Sequence, residues 1–201
     1  MTNYFGIHSV GDSLITFLRD TYPEPLRTAY PCEFKLISSG ELDQSVDMGT
    51  AVTLYLYRVD IDRSMRNAPD PQRRGARPYP LSLCLYYLFI IWSNVPLIES
   101  TIAAWIMSQI HQHPLLDQSV LSGTGDWGPD EQVVIVPIEM TNEDLMRLWD
   151  ALMPTYRLSL PYLARVIRIE PDEVSDGLPV VATRYNYGEL EIAERSDSGI
   201  D

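Results

Sequence analysis

One segment of the chain has the spacing of a dinucleotide-binding turn. Residues 123–128 read Gly-Thr-Gly-Asp-Trp-Gly and match the pattern G-x-G-x-x-G. Dinucleotide binding requires this turn between a strand and the N-terminus of a helix, where backbone N–H groups face the pyrophosphate. Here a helical pattern precedes the segment, a strand pattern follows Pro129, and Asp126, Asp130 and Glu131 would repel phosphate. The sequence therefore favours a plain glycine loop.

The cysteines and histidines do not form a recognisable metal site or nucleophile. His111 and His113 are two positions apart in a helical pattern, and such positions do not face each other on a helix. Their position at the end of a helix is better explained by favourable contacts with the negative end of the helix dipole than by a zinc site. Cys32 and Cys84 are too few for a disulfide framework or a four-thiolate site. Since no nucleophile elbow and no distinct acid–base pair is present, we expect no enzymatic activity, no metal and no cofactor.

Arginine is concentrated in one stretch of the chain. Six of the 15 basic residues lie within 20 positions, and Asp60, Asp62 and Asp70 offset half of their charge. The stretch 60–80 holds four prolines and one glycine, which predicts a long loop, and a structureless connection of this length is usually functional. Because arginine forms bidentate pairs with carboxylates, we predict a protein-binding loop, with a merely solvated loop as the alternative. The predicted contact residues are Arg58, Arg63, Arg66, Arg73, Arg74 and Arg77.

Composition narrows the classes of partner. The 201 residues carry 15 basic and 28 acidic side chains, a formal net charge of −13. Such a chain repels nucleic acid and anionic membranes, so we expect neither as a partner. The most apolar segment, 81–92, is shorter than the roughly 20 residues that a membrane helix needs, and no secretory leader is visible. We therefore expect a soluble protein made in a reducing cytoplasm, without insertion into a membrane.

The hydrophobic pattern alternates between helical and extended segments. Helical spacing runs from Ile7 to a stop at Pro23 and Pro25, and again from Pro96 to near Pro114. Thr141, followed three residues later by an aspartate, resembles a capping box and opens a shorter third helix. The chain is therefore predicted to be a mixed α/β protein. The predicted strands, rich in β-branched, aromatic or alternating apolar residues, are 33–37, 52–59, 81–92, 133–138 and 160–169.

The composition changes after Pro171. Residues 171–201 hold eight acidic and two basic side chains, a net charge of −6. We therefore divide the chain into a domain at 1–170 and an acidic C-terminal arm at 171–201. The stretches 180–187 and 190–192 keep a strand-like pattern. The arm is either a frayed tail or a segment that becomes ordered on a partner.

Eight short motifs occur together in an order and spacing that resemble one protein family. The resemblance covers about residues 1–170, and the family is the tail-terminator or cap proteins of extracellular contractile injection systems, the phage-tail-like particles of bacteria. After Pro171 the likeness carries nothing over. The motifs are residues 3–10, 54–59, 66–67, 73–74, 77–88, 113–116, 148–149 and 156–162.

The resemblance implies a fold, an assembly and partners. The implied fold class is α/β (α+β), a mixed, mostly antiparallel sheet flanked by about three helices, as in phage tail terminators. The implied assembly is a homohexameric ring that closes the inner tube and the sheath at the end opposite the baseplate, built in the bacterial cytoplasm, with no catalytic residues and no cofactor. Recognition of the tube and sheath proteins through loops and sheet edges fits this role. Two alternatives stay open: a baseplate or adaptor component of the same particle, and a small-molecule-binding enzyme domain built on the glycine loop.

Overall fold

The computed structural model describes residues 2–42, 48–62, 81–152 and 154–169. These residues form five α-helices, six β-strands and one 3₁₀ turn at Gly123–Gly125. The helices are α1 (Gly6–Thr21), α2 (Glu24–Ala29), α3 (Ser39–Leu42), α4 (Pro96–Gln112) and α5 (Asn142–Ala151). The strands are β1 (Glu33–Ile37), β2 (Ala51–Ile61), β3 (Leu81–Trp92), β4 (Leu115–Leu116), β5 (Val133–Pro137) and β6 (Ser159–Ile169).

The strands form one six-stranded sheet in the order β1-β2-β3-β6-β5-β4. β1 pairs with β2 in parallel, and every other neighbouring pair is antiparallel. The predicted mixed, mostly antiparallel sheet is therefore confirmed. The three predicted helices correspond to α1, α4 and α5, and Thr141 caps α5 by accepting a hydrogen bond from the backbone N–H of Asp144.

Three short elements were missing from the sequence prediction. α2 and α3 have 6 and 4 residues, and β4 has two residues, so none carries enough periodicity to be recognised. Pro23 ends α1 as predicted. Pro25, however, does not extend that break but lies in the first turn of α2, where its missing N–H costs nothing.

Helices α1 and α4 cover one face of the sheet, which we call the first face. Their apolar side chains join the odd-numbered residues of β3 in a single buried cluster that also includes residues of every other strand. At one end of this cluster the rings of Tyr22, Phe34 and Trp105 meet edge to face, with centroids 4.9 to 5.9 Å apart. These three rings tie the end of α1, the strand β1 and the middle of α4 together.

Helix α5 covers only part of the opposite face, which we call the second face. Trp149, with Leu145 and Leu148, packs there against Leu88 and Ile90 of β3. α3 adds Leu42 to this smaller cluster. The cluster lies over β1, β2 and one end of β3, so α5 leaves the β6–β5–β4 side of the second face outside it.

Alkaline pH should destabilise this fold. Burial raises the pKa of the Tyr22 hydroxyl from 10.0 to about 12 and that of the Cys32 thiol from 9.0 to about 12, and it also raises the pKa of Tyr87. The folded chain holds these protons more tightly than the unfolded chain, so their contribution is fully present below the unfolded pKa values. It is lost as the pH rises towards the folded values. We expect the urea midpoint of unfolding to fall steadily from about pH 9 upward.

The Cys32→Ser variant provides the control for this experiment. Because it removes one of the raised groups, its urea midpoint should fall less steeply with pH than that of the parent chain. A midpoint that stays constant over the same range in the parent chain would contradict the prediction.

Candidate docking surface

The glycine segment 123–128 fastens the loop before β5 to the first helix. Trp127 Nε1 donates a hydrogen bond of 2.9 Å to Ser9 Oγ, and Ser9 Oγ donates one of 2.9 Å to the carbonyl of Ser122. The backbone N–H of Ser122 in turn donates to Ser13 Oγ at 2.7 Å. The segment lies between β4 and β5 and opens no helix after its last glycine. It therefore has the geometry of a structural loop, as the sequence favoured, and not that of a dinucleotide site.

Gly125 is the position in this loop where a side chain cannot fit. A Cβ atom there would lie 2.3 Å from Trp127 Nε1 and 2.9 Å from Ser9 Oγ. We expect Gly125→Ala to lower the free energy of unfolding by about 1–3 kcal/mol, because the Trp127 ring must shift and its hydrogen bond weakens. Urea denaturation followed by tryptophan fluorescence measures this effect.

Gly123→Ala is the matched control for Gly125→Ala. It lies in the same 3₁₀ turn, but a Cβ atom at this position would have no other atom within 4 Å. We expect its free energy of unfolding to change by less than about 0.5 kcal/mol. Equal effects of the two substitutions would show that the close approach at Gly125 does not support the fold.

The two histidines singled out by the sequence lie at the end of α4. His111 is in the last turn, and the ring of His113, the C-cap residue, meets the ring of Phe17 edge to face at 5.6 Å. Within the described ranges, no three His, Cys, Asp or Glu side chains are grouped so that they could hold a metal ion.

Arg58 is the one predicted contact residue that the structure describes. The other five, Arg63, Arg66, Arg73, Arg74 and Arg77, lie outside the described residues. The prediction for the loop itself is therefore untested by the geometry.

A β-bulge in β2 sets the direction of Arg58. The register with β3 shifts by one residue between Leu56 and Arg58, which leaves Tyr57 as the extra residue. Arg58 then lies opposite Tyr86, with its guanidinium carbon 4.9 Å from the ring centroid, and it forms an ion pair with Asp60. Its side chain is 59% exposed. Such an exposed pair adds little stability, so the guanidinium is available to a partner.

Another arginine, Arg165, lies on the same face at a second bulge, in β6. β6 has one more residue than β3 between Ala164 and Ile167, and Arg165 lies in this bulge opposite Cys84. Arg165 Nη2 is 3.7 Å from Oδ2 of Asp62, a carboxylate only 7% exposed. Burial, followed by the charge of Asp62, raises the pKa of the Cys84 thiol, which keeps it protonated and unreactive. The site therefore presents fixed charge and no nucleophile.

An apolar patch, which we call the open patch, continues from these arginines across β6, β5 and β4. It consists of Leu163, Val136, Val134 and Leu115. The strand register places Leu163 beside Val136, and Val134 between Arg165 and Leu115, all on the second face. Leu115 is 50% exposed and Val134 is 37% exposed, whereas Val136 and Leu163 are half-buried, and none of the four belongs to either apolar cluster.

The open patch is the feature that best fits a docking role. Contiguous exposed apolar side chains bordered by charged ones are typical of protein interaction sites. The sequence analysis missed these residues. The sequence did contain a signal, since β5 reads VVIVP and is apolar on both of its faces. One of these two faces lies on the side of the sheet that α5 covers only in part.

The sheet edges offer less than the sequence analysis expected. In the part of the chain that the structure describes, the long strands β2, β3 and β6 lie inside the sheet, and the edges are β1, with five residues, and β4, with two. Arg19 Nη2 also donates a hydrogen bond of 2.9 Å to the carbonyl of Phe34 on β1. A short edge whose carbonyl is already bonded is a poor template for strand addition. Faces and loops are therefore better candidates for docking than these two edges.

Two chain segments outside the described residues begin at the same end of the sheet. Ile61, the last residue of β2, pairs with Leu83, and Leu81, the first residue of β3, pairs with Ile169, the last residue of β6. The stretch 63–80 therefore starts and ends beside the point where residues 170–201 begin. Asp62, which pairs with Arg165, is the last described residue before the stretch 63–80.

Comparison with known proteins identifies the family. The model of the Pvc16 N-terminal domain matches residues 9–183, which is most of the chain. The chain belongs to this family. The match confirms the resemblance to tail-terminator proteins of contractile injection systems that the sequence motifs indicated.

Two solved structures resemble this Pvc16 N-terminal domain protein in fold. The PVC sheath/tube terminator of an extracellular contractile injection system, in its extended state, is 21% identical with a TM-score of 0.52; the match covers 92% of this chain and 64% of that one. The tube-terminating cap of the anti-feeding prophage is 13% identical with a TM-score of 0.51, over 86% of this chain and 61% of that one. The present chain thus spans less than two thirds of either structure.

No curated protein sequence matches this chain. Among its described residues, no helix is long and apolar enough to cross a membrane.

Proposed function

We propose that this Pvc16 N-terminal domain protein terminates the tube and sheath of a contractile injection system. The observation that carries the proposal is the family match over residues 9–183. The fold it shares with a sheath/tube terminator over 92% of the chain supports the same role. The proposed activity is structural and not enzymatic, and the proposed partners are the tube protein and the sheath protein.

The proposed contact surface is the second face of the sheet around the open patch. A terminator has to bury a surface against the last subunits of a polymer, and this patch presents apolar side chains with Arg58 and Arg165 at its border. The apolar side chains supply contact area, and the arginines supply directed pairing with carboxylates. The stretch 63–80, attached at one end of this face, adds Arg63, Arg66, Arg73, Arg74 and Arg77 to the proposal.

The proposed assembly is a ring of six copies at the end of the particle opposite the baseplate, formed in the bacterial cytoplasm. A closed ring of identical subunits needs head-to-tail contacts between two different surfaces of each copy. A chain with a net charge of −13 and a local concentration of arginine has surfaces of opposite sign that suit such contacts.

Deleting the gene and imaging the particles tests the proposed function. Without a terminator the last ring keeps unpaired surfaces that add further subunits or fall apart. We expect particles that are absent, unstable or of uncontrolled length, restored by the intact gene. Particles of normal number and length in the deletion strain would refute the terminator role.

Imaging of particles with a labelled copy of the protein separates the alternatives. Label at the end opposite the baseplate, with six copies, is the expected result. Label at the baseplate would favour the baseplate or adaptor component. Tight nucleotide binding by the purified protein would favour a small-molecule-binding domain, against which the position of segment 123–128 already argues.

A further inference from the structure

We propose that the free protein forms a two-fold dimer in which the outer edge of β2 pairs with the same edge of a second copy. The proposed contact is residues 57–61 of each chain, in antiparallel orientation. A two-fold contact uses the same surface on both copies and joins only two of them, whereas the proposed ring needs head-to-tail contacts. The dimer is therefore a form of the protein outside the particle, and it does not depend on the terminator role.

The second half of β2 is an edge of the sheet, although β1 covers its first half. β1 pairs with β2 only as far as Tyr55. Within the described ranges, no other strand pairs with β2 on that side. Two apolar side chains lie along this edge, since Val59 is 42% exposed and Ile61 is 54% exposed. An uncovered edge with exposed apolar residues is a template for strand pairing.

The register with β3 shows which backbone groups this edge offers. The backbone N–H of Asp62 donates a hydrogen bond of 2.9 Å to a carbonyl of β3. Bonded positions alternate along an antiparallel pair, so the backbone groups of Arg58 and Asp60 also face β3. The backbone groups of Val59 and Ile61 therefore point away from β3, towards the open side. Positions 59 and 61 are the ones that a second copy would bond.

Charge selects one register for the pairing of this edge with its own copy. Since outward-facing positions have to meet each other, the two-fold axis passes through position 59, 60 or 61. With Val59 on the axis, Arg58 of each chain lies opposite Asp60 of the other, which gives two pairs of opposite charge. With Asp60 on the axis two carboxylates face each other, and with Ile61 on the axis Asp60 faces Asp62. Opposite charges directly across a strand pair stabilise it and like charges destabilise it, so the register centred on Val59 is favoured.

The dimer adds these cross-chain pairs without leaving any of the four charges alone. Within each chain Arg58 forms an ion pair with Asp60, and the two side chains are 59% and 37% exposed. The second copy presents the same two charges in reverse order, so positive and negative groups alternate around the axis. On the first face, where Val59 and Ile61 lie, Val59 meets its own copy and Ile61 of the other chain is its diagonal neighbour.

Chemical crosslinking tests the register. At a bonded position of an antiparallel pair the two Cα atoms are about 5.5 Å apart, within reach of a short bifunctional thiol reagent. We expect Val59→Cys to give several-fold more crosslinked dimer than Ile61→Cys. Both thiols are accessible, but the register separates position 61 from its own copy by four residues, about 13 Å. Peptide mass spectrometry distinguishes the linked position from Cys32 and Cys84, and equal yields from the two variants would overturn the proposal.

Charge reversal with rescue in trans tests the pairing. Arg58→Asp places two carboxylates on each edge, and Asp60→Arg places two arginines there, so like charges face each other in either dimer. Each variant alone should raise the dissociation constant of the dimer by about tenfold or more. Mixing the two variants should restore association, because every carboxylate then lies opposite an arginine. An ion pair within one chain cannot produce this rescue.

Sedimentation velocity of the full-length chain measures the association. Because the contact is small, we expect a weak, reversible dimer over concentrations of about 5 to 200 µM. A salt concentration of about 0.15 M screens the repulsion between copies of net charge −13 beyond about 8 Å. A parent chain that stays monomeric, association that the single reversals leave unchanged, or a mixture without rescue would each overturn the proposal. All three are observed in purified protein, so they are separate from any failure of the terminator role.

Discussion

Changing Val134 to aspartate should remove the protein from assembled particles while the chain stays folded. Val134 is 37% exposed and belongs to neither apolar cluster, so the fold depends less on its side chain than on those of the buried core. In the proposed contact, however, the substitution replaces buried apolar area with a carboxylate that loses its water. We expect incorporation to fall at least about tenfold, which corresponds to a loss of about 1.4 kcal/mol per contact.

The Met107→Asp variant is the control for Val134→Asp. Met107 is 50% exposed on α4, on the opposite side of the sheet, so a carboxylate there should leave incorporation nearly unchanged. Melting temperatures of both variants establish that they fold. Normal incorporation of folded Val134→Asp would exclude the open patch from the particle interface.

Reversing two loop charges should have an effect of similar size. In the double variant Arg73→Glu and Arg74→Glu, carboxylates replace two of the predicted contact residues. If these arginines form buried pairs with carboxylates of the tube or sheath, losing one pair costs about 2–5 kcal/mol, and like-charge repulsion adds to the loss. We expect incorporation to fall sharply at low salt, with little change in melting temperature.

Salt dependence and a control variant make this result interpretable. Exposed pairs contribute little and are screened by salt, so an effect that disappears at high salt would place the arginines at the rim of the interface. Arg147→Glu, on the exposed side of α5 where Arg147 pairs only with Glu143 among the described residues, should behave as the parent chain does. Normal incorporation of the folded double variant at low salt would mean that the loop is only solvated.

Arg58 differs from the loop arginines in what already surrounds it. Its guanidinium contacts Tyr86 and Asp60 within the chain. Of the six arginines predicted as contact residues, Arg58 is the one that lies among the described residues, and it directly follows a β-bulge. The extra residue at Tyr57 changes the face on which the following side chain lies, and no residue type in β2 predicts this shift.

The longer helices and strands and the fold class could be predicted from the sequence because their causes are local. The stripe of apolar residues from Ile7 to Leu18 determines α1, Pro96 begins α4, and Thr141 caps α5. The alternating or continuous apolar runs determine the five longer strands, including β3 over its full range of Leu81–Trp92. The motif order also indicated the family, which the family match confirms.

The docking surface could not be predicted from the sequence, because it is formed by residues that are distant from one another in the sequence. Leu115, Val134 and Leu163 are separated by tens of residues, and they become neighbours only through the strand order β3-β6-β5-β4. Each has the sequence character of a core residue, because an apolar side chain looks the same whether a helix covers it or not.

The sequence by itself determined the three longer helices, the longer strands, the absence of a dinucleotide-binding context around residues 123–128 and the acidity of the chain. Only the tertiary structure decided which apolar side chains stay uncovered and which charges stand beside them. The reason is that burial depends on where α5 ends over the sheet, and that the bulge at Tyr57 turns Arg58 onto the second face, where the strand order also places Arg165. Whether a sheet face is covered depends on how the layers of the protein pack together, and no single segment of the sequence determines this.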